Sequence, residues 1–235
     1  MADKKTIAVI GGSSGIGLAT VKILAEAGHD VHVYSRSFDE EIDNVSHTEL
    51  DVTDDDIKED LFPEKLDGLA YCPGSINLKP FQSLKTKDFE SDFNINVLGA
   101  MKVLGAAMKA LKKGDDSSVV LFSTVAVQTG MPYHASVAAS KGAIEGVTRT
   151  LAAEWAPKVR VNAVAPSLTD TQMASQLLSD DKKRETGAKR HPLKRVGEPE
   201  DIAEAVAYLL SGKASWITGH IFKIDGGMGS LQIPG

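Results

Sequence analysis

Short apolar runs alternate along the chain with stretches whose apolar residues recur every three or four positions. The runs Thr6–Ile10, 31–34, Gly68–Tyr71, 118–122, 159–164 and Ile221–Ile224 predict strands. Between them, 16–27, 89–111, Ala135–Trp155 and a segment from Pro199 to about Leu210 predict helices. Gly28 follows the first of these and suits a helix C-terminus. Nearly unbroken apolar strands belong to a parallel sheet buried on both faces. Strands that alternate with helices imply βαβ units. The expected fold is α/β, a doubly wound parallel sheet with helices on both faces, with residues 1–235 forming a single domain. One stretch departs from the pattern: 169–192 is polar and weakly periodic. A long segment of that kind in a compact domain suits a substrate lid.

Composition narrows the classes. The hydrophobic fraction of 42% and charged fraction of 25% are those of an ordinary globular protein. A net charge of -6 argues against a nucleic-acid binder. Cys72 is the only cysteine, so no internal disulfide can form. The apolar run near the N-terminus breaks at Gly11-Gly12, too early for a signal peptide or a membrane span. A cytoplasmic protein with no membrane partner is expected, and no metal site is expected.

The densest chemical signal follows the first strand. There the chain reads Gly11-Gly12-Ser13-Ser14-Gly15-Ile16-Gly17 and then enters a helix. Glycine lets backbone approach a phosphate closely, and a helix N-terminus offers free N–H groups and a positive dipole end. Between a first strand and a first helix, such a cluster predicts a Rossmann-type dinucleotide site.

Further landmarks give the chain a resemblance to the short-chain dehydrogenase/reductase family. Gly11, Gly15 and Gly17 match its glycine pattern, with Ile10 at the family's threonine. Asp51-Val52 looks like the adenine-contacting pair, and Asn94-Ile95-Asn96-Val97 resembles the segment of the catalytic asparagine. Arg160-Val161-Asn162-Ala163-Val164-Ala165-Pro166 is close to the stretch before the nicotinamide site, and Asp225-Gly226-Gly227 resembles the closing strand and turn. The resemblance covers essentially the whole chain. It implies a nicotinamide cofactor, a small carbonyl or alcohol substrate, and a homodimer or homotetramer built on the long helices. The helices 97–111 and 137–155 carry apolar residues around much of their circumference, which fits a partner on a second face.

The same resemblance assigns a catalytic set. Asn96 matches the asparagine that holds a relay water, and Lys141 matches the lysine that holds the nicotinamide ribose. Thr124 falls at the serine that bonds the substrate oxygen, and Thr171 matches a threonine at the nicotinamide end. The family's tyrosine lies four residues before the lysine, and that position is Val137, which has no proton to exchange. His134 and Tyr133 stand just upstream and are chemically competent. In a continuous helix His134 would lie about 10 Å from Lys141 along the axis, so it replaces the tyrosine only if the preceding chain folds back. The family's N-N-A-G motif becomes Tyr71-Cys72-Pro73-Gly74, with Gly74 kept for approach to the cofactor ribose. Cys72 reads as a small buried hydrophobe.

At the end of the second strand, Ser35-Arg36 stands where a site for NAD keeps a carboxylate for the ribose hydroxyls. A guanidinium suits a 2′-phosphate, so NADP(H) is expected over NAD(H). The lid segment has an apolar side with Met173, Leu177 and Leu178, and a basic side with Lys182, Lys183, Arg184, Lys189 and Arg190. A basic side near a site suits an acidic substrate or an acyl carrier, though it is more often solvated surface. Two functions compete: an NADP(H)-dependent oxidoreductase with altered catalysis, and a dinucleotide-binding sensor or assembly subunit with little redox chemistry.

Overall fold

The computed structural model describes residues 4–53 and 56–232 of the chain. Its strands are β1 (Thr6–Ile10), β2 (Asp30–Ser35), β3 (Val45–Glu49), β4 (Gly68–Tyr71), β5 (Ser117–Phe122), β6 (Val159–Pro166) and β7 (Ile221–Ile224). They form one parallel sheet in the order β3-β2-β1-β4-β5-β6-β7. The helices are α1 (Gly15–Glu26), α2 (Thr86–Phe93), α3 (Gly99–Lys113), the single turn α4 (Ala126–Thr129), α5 (Ala135–Trp155), α6 (Asp181–Arg190) and α7 (Pro199–Leu210).

Successive side chains point to opposite faces of a strand, and this divides the sheet between two cores. Ala8, Ile10, Val119 and Leu121 face a layer that includes Leu104 and Leu111 of α3 and Ile144 and Trp155 of α5. Ile7, Val9, Val120 and Phe122 face the other layer, with Val21 and Leu24 of α1 and Ile202 and Val206 of α7. This is the Rossmann-type doubly wound sheet that the periodicity predicts.

Three local features differ from or sharpen the expectation. The periodicity does not reveal β3, whose sequence Val-Ser-His-Thr-Glu has a single strongly apolar residue. It forms the edge of the sheet, where backbone pairing to β2 suffices and polar side chains face water. The predicted helix 89–111 is α2 and α3 in line, joined by one π-helical turn at Asn94–Leu98. The segment 169–192 holds a 3-10 helix, Gln172–Leu178, and then α6, capped by the Asp180 side chain accepting from the Lys183 N–H. As predicted, α1 closes at Gly28, whose φ of 86° lets the His29 N–H reach Leu24 O at 3.1 Å. Among the described residues, no helix is long and apolar enough to cross a membrane.

Arg160 ties the second core together. It is buried on β6 and its Nη1 donates to Leu209 O at 2.9 Å and Ala214 O at 3.0 Å. Its Nη2 donates to Ser211 O at 3.1 Å, and Nε pairs with Asp116 at 3.2 Å. The guanidinium thus caps the negative end of α7 and holds it to the sheet. Arg160→Ala removes these charge-assisted bonds, while Leu209 O keeps the Ser118 hydroxyl, Ala214 O the Ile217 N–H and Ser211 O the Ala214 N–H; it should lower the unfolding free energy by about 2 kcal/mol. Urea unfolding followed by circular dichroism measures it; a loss under about 1 kcal/mol would mean that other donors take over.

Candidate active site

The strand order reverses between β1 and β4, so a crevice opens beyond their C-terminal ends. A cleft of about 1180 Å³ occupies it. The loop after β1 forms its floor. Gly11 has φ 73° and its N–H donates to Tyr34 O at 2.7 Å. A Cβ on Gly17 would lie 2.2 Å from the Gly11 carbonyl oxygen, so only glycine permits this turn. The first bond of the α1 ladder runs from the Leu18 N–H to Ser14 O at 3.1 Å. The N–H groups of Gly15, Ile16 and Gly17 therefore lie outside the ladder, and these residues line the cleft with Ser13 and Ser14. This is a phosphate cradle in form and charge.

At one end of the cleft stand Ser35, Arg36, Asp51 and Val52. Ser35 is buried and its Oγ donates to Ser37 O at 2.8 Å. His47, from the unanticipated β3, donates from Nε2 to Ser35 O at 2.9 Å and so buttresses this corner. Arg36 is exposed on the lip. Asp51 Oδ1 accepts from the Thr53 N–H at 2.9 Å and the Thr53 hydroxyl at 2.7 Å. Those bonds, with the Arg36 charge, hold the carboxyl below its usual range.

The other end gathers Thr124, Val137, Lys141, His134, Pro166 and Thr171 on the wall. Thr124 follows β5, and its Oγ1 accepts from the Ala126 N–H at 3.3 Å. Val137 is buried on α5, one helical turn before Lys141. Burial pushes the Lys141 ammonium down to about 8, with the nearby Asp92 carboxylate pulling the other way. Burial also pushes the Cys72 thiol up to about 12, which makes it inert at neutral pH. His134 is the N-cap residue of α5, and its Nδ1–H donates to Pro132 O at 2.8 Å. Tyr133, at φ 70° and 58% exposed, is not among the residues that line the cleft. Of the two upstream neighbours, His134 is the one the fold brings to the cleft.

Asn96 sits behind the wall in the π turn, at 1% exposure. Its amide donates to Asp92 O at 2.8 Å and to the Ser75 hydroxyl at 2.9 Å. The wide turn leaves carbonyls for side chains to satisfy, and Tyr71 Oη takes another, Ile95 O, at 2.7 Å. Gly99 makes room for it: a Cβ there would lie 2.5 Å from that hydroxyl. Asn96 Oδ1 is buried with no hydrogen-bond partner, alone in this among the described side chains. A Cβ on Gly74 would lie 3.3 Å from it and 3.5 Å from Lys141 Nζ. An orphan acceptor and a cation thus converge on one bare stretch of backbone, which fits the hydroxyls of a cofactor ribose.

Sequence reasoning missed the support beneath this pair. Asp92 is buried and accepts from the Ser75 hydroxyl at 2.6 Å and the Ser136 hydroxyl at 2.5 Å. It joins α2, α5 and the loop after β4 into one hydrogen-bonded unit. The i, i+4 spacing of Asp92 and Asn96 was the available signal. His191 was also missed: it is buried, donates from Nδ1 to Gly187 O at 2.8 Å and accepts at Nε2 from Ser167 Oγ at 2.8 Å.

Fold and site together define an oxidoreductase of the Rossmann type. Residues 10–229 match the family model described as enoyl-(acyl carrier protein) reductase. The chain is 35% identical to a tropinone reductase homolog from Datura stramonium, over 94% of this chain and 91% of that protein. It is 33% identical to the 3-oxoacyl-[acyl-carrier-protein] reductase FabG of Thermotoga maritima, over 96% of this chain and 98% of that protein. Its fold matches that of ElxO with NADP bound at a TM-score of 0.89 and 28% identity, over 97% of this chain and all of the other. The chain belongs to the short-chain dehydrogenase/reductase family.

The Lys141 environment has a measurable consequence. Its folded value of about 8 lies below the ordinary 10.5, so between those pH values the unfolded chain binds more protons. The contribution of this group to stability therefore rises with pH across that window and is least favourable below it. Lys141→Met should be more stable than the native chain at neutral pH, by a margin that shrinks as pH climbs from about 8 toward 10.5. Urea unfolding of both proteins across this range checks the claim; a margin independent of pH would refute it.

Proposed function

We propose that this protein is a cytoplasmic NADP(H)-dependent oxidoreductase acting on a small carbonyl or alcohol substrate, with proton transfer weakened at Val137. The observation that carries the reading is the convergence of the buried Asn96 Oδ1 and Lys141 Nζ at Gly74, where Gly74 and Lys141 line the cleft that also holds the glycine cradle and Asn96 stands just behind it. Gly11, Ser13, Ser14, Gly15, Ile16 and Gly17 hold the pyrophosphate. Arg36 takes the 2′-phosphate beside Ser35, while Asp51 and Val52 flank the adenine. Gly74, Asn96 and Lys141 hold the nicotinamide ribose, and Pro166 and Thr171 border the nicotinamide.

When bound, the nicotinamide supplies or accepts a hydride at the substrate carbon. The chain's own residues then manage the oxygen. The Thr124 hydroxyl donates to it, and the Lys141 ammonium stabilises negative charge nearby. Valine at 137, where the family keeps its tyrosine, offers no proton. His134 is a titratable group on the wall at this end and is the alternative donor. The same valine favours a second reading, a dinucleotide-binding protein with little redox activity. Turnover over a panel of ketones, ketoacyl thioesters and diketones separates the two, since cofactor binding is common to both.

Cofactor choice follows from Arg36 and from the lack of a carboxylate at Ser35. NADPH should bind about tenfold tighter than NADH, a difference of about 1.4 kcal/mol. Arg36→Ala should remove most of that preference, and equal dissociation constants by calorimetry would sink the assignment. Proton supply follows from Val137. Val137→Tyr should raise the reduction rate of activated ketones by about tenfold or more, because Lys141 and Asn96 already stand in place. Lys141→Ala in that background should cancel the gain. If native turnover is brisk and Val137→Tyr slows it, the donor lies elsewhere, and His134→Ala and Tyr133→Phe identify which neighbour it is, with His134 expected from its place on the cleft wall. Association follows from the exposed faces of α3 and α5, where Gly105 and Gly146 leave open space for a neighbour and Leu98, in the π turn before α3, is 45% exposed. Light scattering at micromolar concentration should give a dimer or tetramer mass; a monomer mass would refute it.

A further inference from the structure

The basic side of the lid divides in the fold. Lys182, Lys183, Thr186, Gly187 and Arg190 line the cleft. Their spacing of four and eight residues places Lys182, Thr186 and Arg190 on one face of α6. The acidic residues of the same helix, Asp181 and Glu185, are off that wall. Lys183 Nζ is committed to Gln176 O at 3.1 Å and to Ser179 Oγ at 2.9 Å. Arg184 pairs with Asp170, and Lys189 pairs with Glu185 at 2.6 Å. Lys182 and Arg190 form no ion pair among the described residues. Among the residues that line the cleft, Asp51 is the one carboxylate, and it follows β3 on the far side of the crevice from α6. In a chain of net charge -6, an uncompensated cationic wall facing a cavity is not the average surface. The same segment adds Met173 and Leu177 to the cleft, both partly exposed.

We infer that the substrate is an acid: a carbonyl or alcohol compound whose anionic end lies against Lys182 and Arg190 on the cleft face of α6, with an apolar stretch beside Met173 and Leu177. The inference rests on the reading that the cleft takes a dinucleotide and a carbonyl or alcohol substrate. Lys182 and Arg190 line the cleft with exposed side chains and no carboxylate of α6 beside them on that wall, so their attraction for an anion is electrostatic and weakens with salt. It would orient the substrate while the reacting carbon meets Thr124 and Lys141.

The test is calorimetry on the protein loaded with oxidised NADP, with which a ketone binds without turning over. The probes are methyl ketones of increasing chain length that end in a carboxylate, a sulfonate or a phosphate, each compared with the neutral methyl ester of the carboxylate. At one chain length an anionic form should bind about tenfold tighter than its ester, and added salt should erode that preference. The Lys182→Ala/Arg190→Ala double variant should lose the preference and keep its NADPH affinity, while Lys189→Ala should keep both. Esters that bind as well as the acids at every length would overturn the inference. So would a double variant that loses NADPH affinity but keeps the preference, since the two cations would then serve the cofactor's phosphates. If NADPH does not bind the native protein, the functional reading fails by itself. The same titration into the unloaded protein still decides whether this wall selects an anion.

Discussion

β1 is hydrogen-bonded in parallel to β2 on one side and to β4 on the other, and the cleft follows from that placement. The loops that leave β1 and β4 must diverge over the same edge of the sheet, so nothing of the backbone fills the space between them. Where they do meet, the fit is close: a Cβ on Gly11 would lie 3.1 Å from the Pro73 ring. Pro73, at the alanine of the family's N-N-A-G pattern, therefore packs against the glycine turn. The turn of α1 against Gly11 then presents free N–H groups into the opening.

A second constraint operates at the other end. Lys141 is a buried cation and Asn96 Oδ1 a buried acceptor without a donor, and each is unfavourable in a folded core. Asp92, Ser75 and Ser136 are hydrogen-bonded beneath them, with Ser75 accepting from the Asn96 amide and the Asp92 charge favouring the Lys141 ammonium. The π turn at Asn94–Leu98 belongs to the same device, since it turns the Asn96 amide back to Asp92 O and leaves its carbonyl toward Gly74. Stability given up in this way is typical of positions kept for a ligand. Val137 stands in contrast: it is an apolar residue packed one turn from the lysine, at home in the core and chemically silent.

Much of this was readable from the chain. Unbroken apolar runs and period-three-to-four patterns located the parallel sheet and its helices, because burial on both faces forces apolar runs into strands and stripes into helices. The glycine cluster after β1 was readable because no other residue fits a turn where a Cβ would meet a carbonyl at 2.2 Å. Val137, Lys141 and Asn96 were readable through fixed spacings in short local motifs. β3 was not, because an edge strand is held by backbone bonds that leave little trace in side-chain pattern.

Other features depend on residues far apart in sequence meeting in space. Asp92 reaches Ser136 across 44 positions, and no local pattern announces such a partner. That His134 lines the cleft while Tyr133 is exposed is likewise set by how the chain enters α5, where Tyr133 has φ 70° and His134 is the N-cap. The basic residues of 182–190 looked alike in a row, yet packing of α6 sent Lys182 and Arg190 to the cleft and paired Arg184 and Lys189 elsewhere. Local sequence dictates periodicity and the turns that only glycine can make. Which charges and hydroxyls face one another is set by how the elements pack.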